Sequence, residues 1–254
     1  MLNYMKSECY RIMRNKSLGI LTVVCGVLMI GLVLALKYFD MFDPAFPYGN
    51  TRFALSNLYM QMNLLLMAAM VFSAFMHDNE EKHHTIKHSI AFGIRRSTVF
   101  LGRFAVQAIV GILIYIVLAG IYTAVTMAML NHENVGELES LFRVSLGSAT
   151  CLLAALGITH FFLMLYENQT AAYMGSITVL LILPSILNLL GRKVEAVRIL
   201  AGYFPLNVVS INGPLVSVDG NEVMAVLKSL LTGAVWLAAF LVLGVVKYQK
   251  KEIK

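Results

Sequence analysis

The sequence predicts an all-α integral membrane protein with six transmembrane helices and both termini in the cytoplasm. Three observations carry this. Of the 254 residues, 59% are hydrophobic and only 13% are charged, about half the charge of a soluble domain. Six apolar runs are each long enough to cross a hydrocarbon core of about 30 Å as a helix. Basic residues gather at the ends of those runs, where topology is written.

The runs are Leu18–Tyr38, Leu58–Met76, Phe104–Leu130, Val144–Tyr166, Thr170–Leu190 and Val223–Val246. They are continuous and rich in Leu, Ile, Ala, Met and Val, whereas a barrel would alternate over short strands. A single transmembrane domain over residues 1–254 is therefore expected. Thirteen of the 20 Lys and Arg lie in the N-terminal leader, the loop after run two and the C-terminal tail. Eight of the 14 acids fall on the other side. Positive-inside places the basic side in the cytoplasm. The first run lacks the short leader and cleavage site of a removed signal peptide. The sequons at Asn15 and Asn168 fall on the cytoplasmic face, where glycan would contradict this topology.

The net charge of +6 is distributed as topology signals, so no nucleic-acid partner is expected. No GxxxxGK[ST] phosphate loop occurs, so this chain does not bind ATP through a Walker motif of its own. No nucleophile–base pair is apparent, and the chain is not expected to be an enzyme. Three cysteines suggest no disulfide framework.

The leader, residues 1–17, reads as an amphipathic helix. Leu2, Met5, Cys9, Ile12 and Met13 share one face, with Glu8, Arg11 and Arg14 off it. Such a helix lies along the inner surface of a membrane, its bases towards anionic lipid. In the outer loop, residues 191–222, the positions Val194, Val197, Leu200, Ala201 and Phe204 keep helical spacing until Pro205. A short helix on or in the outer leaflet is expected there, followed by turns at Asn212-Gly213 and Asp219-Gly220.

Between runs two and three, residues 77–97 carry most of the charge in the middle of the chain. Asp78 and Glu81 have capping-box spacing, and Gly93 is placed as the C′ residue of a helix ending near Phe92. Glu80, His84 and His88 form an i, i+4, i+8 ladder, but no fourth ligand accompanies them and no metal is expected. A purely topogenic loop would need neither a cap nor the apolar stripe of Ile86 and Ile90. A short capped helix with charged and apolar faces suits docking into a groove of a cytoplasmic protein.

Inside the runs, Gln61, Asn63, Gln107 and His160 are polar. Gln61 and Asn63 are the positions taken as a translocation path, and His160 is read as structural. Asn188 sits where headgroups or water would meet it. Pro184 removes a backbone donor and is expected to kink the fifth span.

The pattern of Glu81, Thr85, Ile86, Lys87, Ile90, Gly93, Arg96 and Arg103 resembles the type-2 ABC transporter permeases of Gram-positive bacteria, in particular their small six-span members. The leader, through Lys6, Glu8, Arg11 and Lys16, is similar to the opening of that family, as is the basic tail KYQKKEIK. The resemblance implies that residues 77–97 form a coupling helix seated on a separate ATP-binding subunit. Glu80, Glu81, Thr85, Lys87, His88, Gly93, Arg95 and Arg96 would meet that subunit. The leader, with Glu8, Arg11, Arg14 and Lys16, would be the connecting helix, and the loop after span five would carry outer-leaflet helices. A second permease chain, identical or not, would complete the path. ATP and Mg would be bound by the partner, and this chain would hold no cofactor. The implied setting is the bacterial plasma membrane, in contact with lipid. The implied task is efflux of, or immunity to, antimicrobial peptides such as bacitracin and lantibiotics. The rival readings are a multi-span assembly or sensor protein without transport, and an ion-coupled carrier, which would place an ionisable group in mid-span.

Overall fold

The structure, a computed structural model, describes residues 2–43, 46–77, 93–131, 136–166, 168–210 and 222–250. Nearly all of these are helical, and among them there is no strand, only an isolated bridge between Asn50 and Asn131. In chain order the helices are α1 (Leu2–Met13), α2 (Lys16–Phe42), α3 (Thr51–Met60), α4 (Met62–His77) and α5 (Arg96–Met129). Then follow α6 (Gly136–Leu165), α7 (Gln169–Ile177), α8 (Leu183–Gly191), α9 (Glu195–Ala201), α10 (Pro205–Val208) and α11 (Glu222–Lys250). A π turn, Thr178–Ile182, joins α7 to α8 into one span. Among the described residues five helical stretches are long and apolar enough to cross a membrane, and α3 with α4 makes a sixth if the bent pair is counted as one.

That pair corrects the uniform second span. Its axis turns by 58° between Met60 and Met62, and the break falls at Gln61, whose N–H caps α3 on Asn57 O. Hydropathy alone does not register a bend, because both arms are apolar. The fifth span keeps its sequence-based irregularity in another form. Pro184 has no N–H to return to Leu180, and just before it the helix widens so that the Leu183 N–H reaches Thr178 O, an i→i−5 bond. In the outer loop, the helix expected from Val194 onwards is present as α9. Pro205 does more than end it: it opens α10, a place proline suits because its missing N–H is needed by no helical partner.

Asparagines start three of the helices. Asn50 Oδ1 accepts from Phe53 N at 2.8 Å and Asn168 Oδ1 from Thr170 N at 2.9 Å. Asn15 Oδ1 accepts from Ser17 N and Leu18 N, while its amide donates to Phe75 O on α4 at 2.7 Å. Both sequon asparagines are thus helix caps, and Asn15 is buried besides. Asn15→Ala is expected to remove the cap and the tie to α4 together, costing about 2 kcal/mol, the upper end for a lost cap. Thermal unfolding of the purified protein in detergent checks this.

The centre of the bundle is α6, with α11 packed along it. More than half of the apolar window of α6 is buried, 56% against 11% for α2 at the periphery. Their crossing is built from small and hydroxyl-bearing residues, which let helices approach closely in a medium where apolar side chains gain nothing by leaving lipid. Ser229 Oγ donates to Gly147 O at 2.8 Å, and Thr150 Oγ1 donates to Leu230 O at 3.0 Å. A Cβ on Gly233 would fall on the backbone of Thr150 and Cys151.

The loop ends after α8 fold back on it. Gly191 lies so near Arg198 that a Cβ would come within 2.8 Å of its Cα, and α9 returns along α8. Asn188 does not simply face water: it exchanges two amide hydrogen bonds with Asn207, at 2.7 and 3.0 Å. Trp236 Nε1 on α11 donates to Tyr203 O at 2.8 Å, with its ring against Phe204. Trp236 lies 14 residues into α11, about 21 Å along its axis at 1.5 Å per residue. The α9–α10 hairpin therefore descends well below the start of the last span.

Candidate functional site

A set of buried and part-buried polar side chains lies together where α1 crosses the foot of α5. Tyr4, Glu8 and Arg11 come from α1, Arg103 and Gln107 from α5, Ser73 and His77 from α4, and His160 and Met164 from α6. Gly102 makes the crossing possible: a Cβ there would press within 3.2 Å of the Tyr4 ring.

Arg103 is fully buried and is the largest such side chain. Its Nε lies 4.0 Å from Glu8 Oε2, and its Nη1 donates to Met164 Sδ at 3.5 Å. Glu8 is itself buried and accepts from Arg11 Nη2 at 2.6 Å. One carboxylate thus stands between two guanidinium groups, one on its own helix and one on the third span. The Tyr4 phenol is half-buried beside it. Burial first, and then the Glu8 carboxylate, raise its pKa well above that of a free tyrosine, so it remains a donor to that carboxylate.

Deeper in, the cluster joins three spans. His77 Nδ1 lies 2.8 Å from the Gln107 amide nitrogen and 2.9 Å from Ser73 O. The His77 and His160 rings are 5.2 Å apart, and His160 Nε2–H donates to Phe100 O at 3.1 Å. Ser73 Oγ, Gln107 Oε1 and His160 Nδ1 are buried with no hydrogen-bond partner among the described residues. A buried polar atom left without a partner costs about 1–3 kcal/mol of desolvation.

This cluster brackets the charged segment. His77 immediately precedes it and Gly93 closes it, with a φ of 82°, the left-handed backbone a C′ glycine adopts. Residues 78–92 lie outside the described residues, and with them Glu80, Glu81, Thr85, Lys87, His88 and the His84 ladder. Arg95 is exposed at the N-cap of α5. Arg96 begins that helix and donates from Nη1 to Gln249 O at 3.1 Å. The leader, the start of α5 and the end of α11 accordingly meet at one end of the bundle.

Two expectations for this end are corrected. The buried face of α1 is Tyr4, Met5, Glu8, Cys9 and Ile12, whereas Met13 is 75% exposed. Glu8, placed off the apolar face, is drawn in by Arg103, a partner far along the chain. Arg103, counted with the loop before the third run, belongs instead to the span, because α5 begins at Arg96 and carries Arg103 two turns inside the bundle. Of the remaining leader positions, Arg14 is exposed and donates to Tyr10 Oη at 2.6 Å, and Lys16 is exposed at the start of α2. Gln61 is exposed at the break between α3 and α4, two residues from half-buried Asn63, and neither touches the cluster. Gln107, Ser73 and His77 were missed as members of a site. The signal available was a polar residue at the same end of each of three apolar runs.

No family model matches the chain, and no curated protein matches it.

Proposed function

We propose that this chain is the permease subunit of an ATP-driven exporter, with ATP bound and hydrolysed by a separate subunit docked on residues 77–97. The observation that carries the reading is the clamp of α1 onto the foot of α5 through Glu8 and Arg103, at the boundary of the charged segment. A docking segment that only fixed orientation would need no buried polar linkage to three spans. A push delivered at 77–97 reaches α4 through His77 and α5 through Arg96, and a shift of the Glu8 carboxylate from Arg11, its partner at 2.6 Å, towards Arg103, 4.0 Å away, would give the foot of the bundle a second arrangement. Differential affinity of the partner for those arrangements is what drives a conformational change.

The same reading places both termini in the cytoplasm of a bacterium and pairs the chain with a second permease. The bundle supports pairing only in that α2, α8 and α11 leave long apolar faces exposed. The export reading assigns the α9–α10 hairpin to the outer leaflet, in keeping with the outer helices the resemblance implies. The cargo is an amphipathic or hydrophobic molecule, an antimicrobial peptide by the same resemblance. Arg96→Glu is expected to leave insertion and thermal stability near wild type while lowering transport at least tenfold. Efflux from cells, with chain levels measured in isolated membranes, tests this; normal efflux by Arg96→Glu contradicts the coupling role.

A further inference from the structure

Between α4, α5 and α6 the bundle holds a cleft of about 340 Å³, within the size range of small-molecule sites. Small residues hollow it from three sides: Ala69 on α4, Gly111 on α5 and Ala149 on α6. The only hydroxyls in its wall, those of Tyr115 and Ser145, are spent on each other at 2.7 Å. A buried water needs two to four polar partners, and the side chains of this wall offer only these two hydroxyls, already hydrogen-bonded to each other. Water is therefore a poor filling. The rim between α5 and α6 is apolar and open, with Ile112 44% and Leu146 51% exposed. Tyr115 lies about 29 Å along α5 from Arg96 and about 21 Å from Met129, at 1.5 Å per residue. When α5 spans a bilayer, the cleft opens sideways into hydrocarbon.

We infer that this cleft holds one acyl chain of a bilayer lipid as a resident wedge between α5 and α6. The chemistry of the wall selects it: an occupant with polar groups would leave them unpaired, and the medium at the mouth is itself acyl chain. The hollow is kept by Ala69, Gly111 and Ala149, and larger side chains at these positions would evict the wedge. The inference rests on the membrane-spanning architecture and not on the export reading.

The test uses the full chain in phosphatidylethanolamine–phosphatidylglycerol vesicles in which some acyl chains carry a mid-chain diazirine. After illumination, labelled peptides are mapped by mass spectrometry. The expected result is labelling concentrated on the cleft positions of α5 and α6, several-fold above the exposed stretch of α2 at Val23 and Val27. Ala149→Phe, or Ala69→Leu from the opposite wall, should reduce cleft labelling to that background while α2 labelling is unchanged. Equal labelling of cleft and α2 in the wild type would overturn the inference. So would cleft labelling that persists in both filled variants. Cross-linking of a Leu146→Cys variant to a second copy, with the label lost from the cleft, would assign the cleft to a chain–chain contact instead.

Discussion

Gly233→Ala is expected to destabilise the protein by about 3 kcal/mol, the upper end for overpacking, and to lower its yield from membranes sharply. The added Cβ would meet the backbone of Thr150 and Cys151, and backbone cannot rotate aside as a side chain can. Relief requires moving α11 off α6, which would also stretch Ser229 Oγ–Gly147 O and Thr150 Oγ1–Leu230 O. Two other glycines make the comparison decisive. At Gly157 a Cβ would come within 2.8 Å of a Leu237 methyl, the end of a flexible side chain, so Gly157→Ala should cost clearly less. At Gly31 nothing lies within 4 Å, and Gly31→Ala should be neutral or stabilising by up to about 1 kcal/mol through helix propensity. Thermal unfolding in detergent should rank them Gly31→Ala, Gly157→Ala, Gly233→Ala from most to least stable. Any other order removes the α6–α11 crossing from the centre of the fold.

The second large effect concerns Glu8. Glu8→Ala takes from the fully buried Arg103 the carboxylate beside it. Breaking a buried pair from one side costs about 3–5 kcal/mol, whereas replacing both partners with apolar groups is often close to neutral. Glu8→Ala should therefore be severely destabilised, and Arg103→Met in the Glu8→Ala background should recover most of the loss. The coupling between the two substitutions is the quantity to read. On the export reading the recovered double variant should fold and insert yet transport poorly, because the linkage between α1 and α5 is then apolar and has no carboxylate to pass between Arg11 and Arg103. Additive losses, with no recovery, would mean that Glu8 and Arg103 do not sense one another.

These outcomes separate what local sequence carries from what it does not. The apolar runs carry the spans, since length and hydropathy are properties of each segment alone, and the caps at Asn15, Asn50 and Asn168 follow from residue type and place. The break at Gln61 was visible only as a polar residue, because a bend depends on what packs against each arm. The π turn before Pro184 was legible in its cause and not in its form. Glu8 was read outward because a charge on an amphipathic helix is solvated unless a partner is found. Arg103, its partner, comes from α5. The hairpin at α9 and α10 was half legible: helical spacing to Phe204 is local, but the anchor at Trp236 is long-range. For residues 78–92 the sequence remains the source of the docking reading, and Gly93, with its left-handed backbone, is the first residue described after them.

Everything proposed for function turns on whether residues 77–97 seat a separate ATP-hydrolysing subunit. The most direct measurement is affinity purification of the tagged chain from native membranes after photo-cross-linking from a probe at position 84 or 88. The account predicts one dominant cross-linked protein carrying a Walker phosphate loop, lost when Glu81→Lys and Arg96→Glu are combined. Recovery of the chain with no such protein, from membranes in which it is folded and abundant, would contradict it.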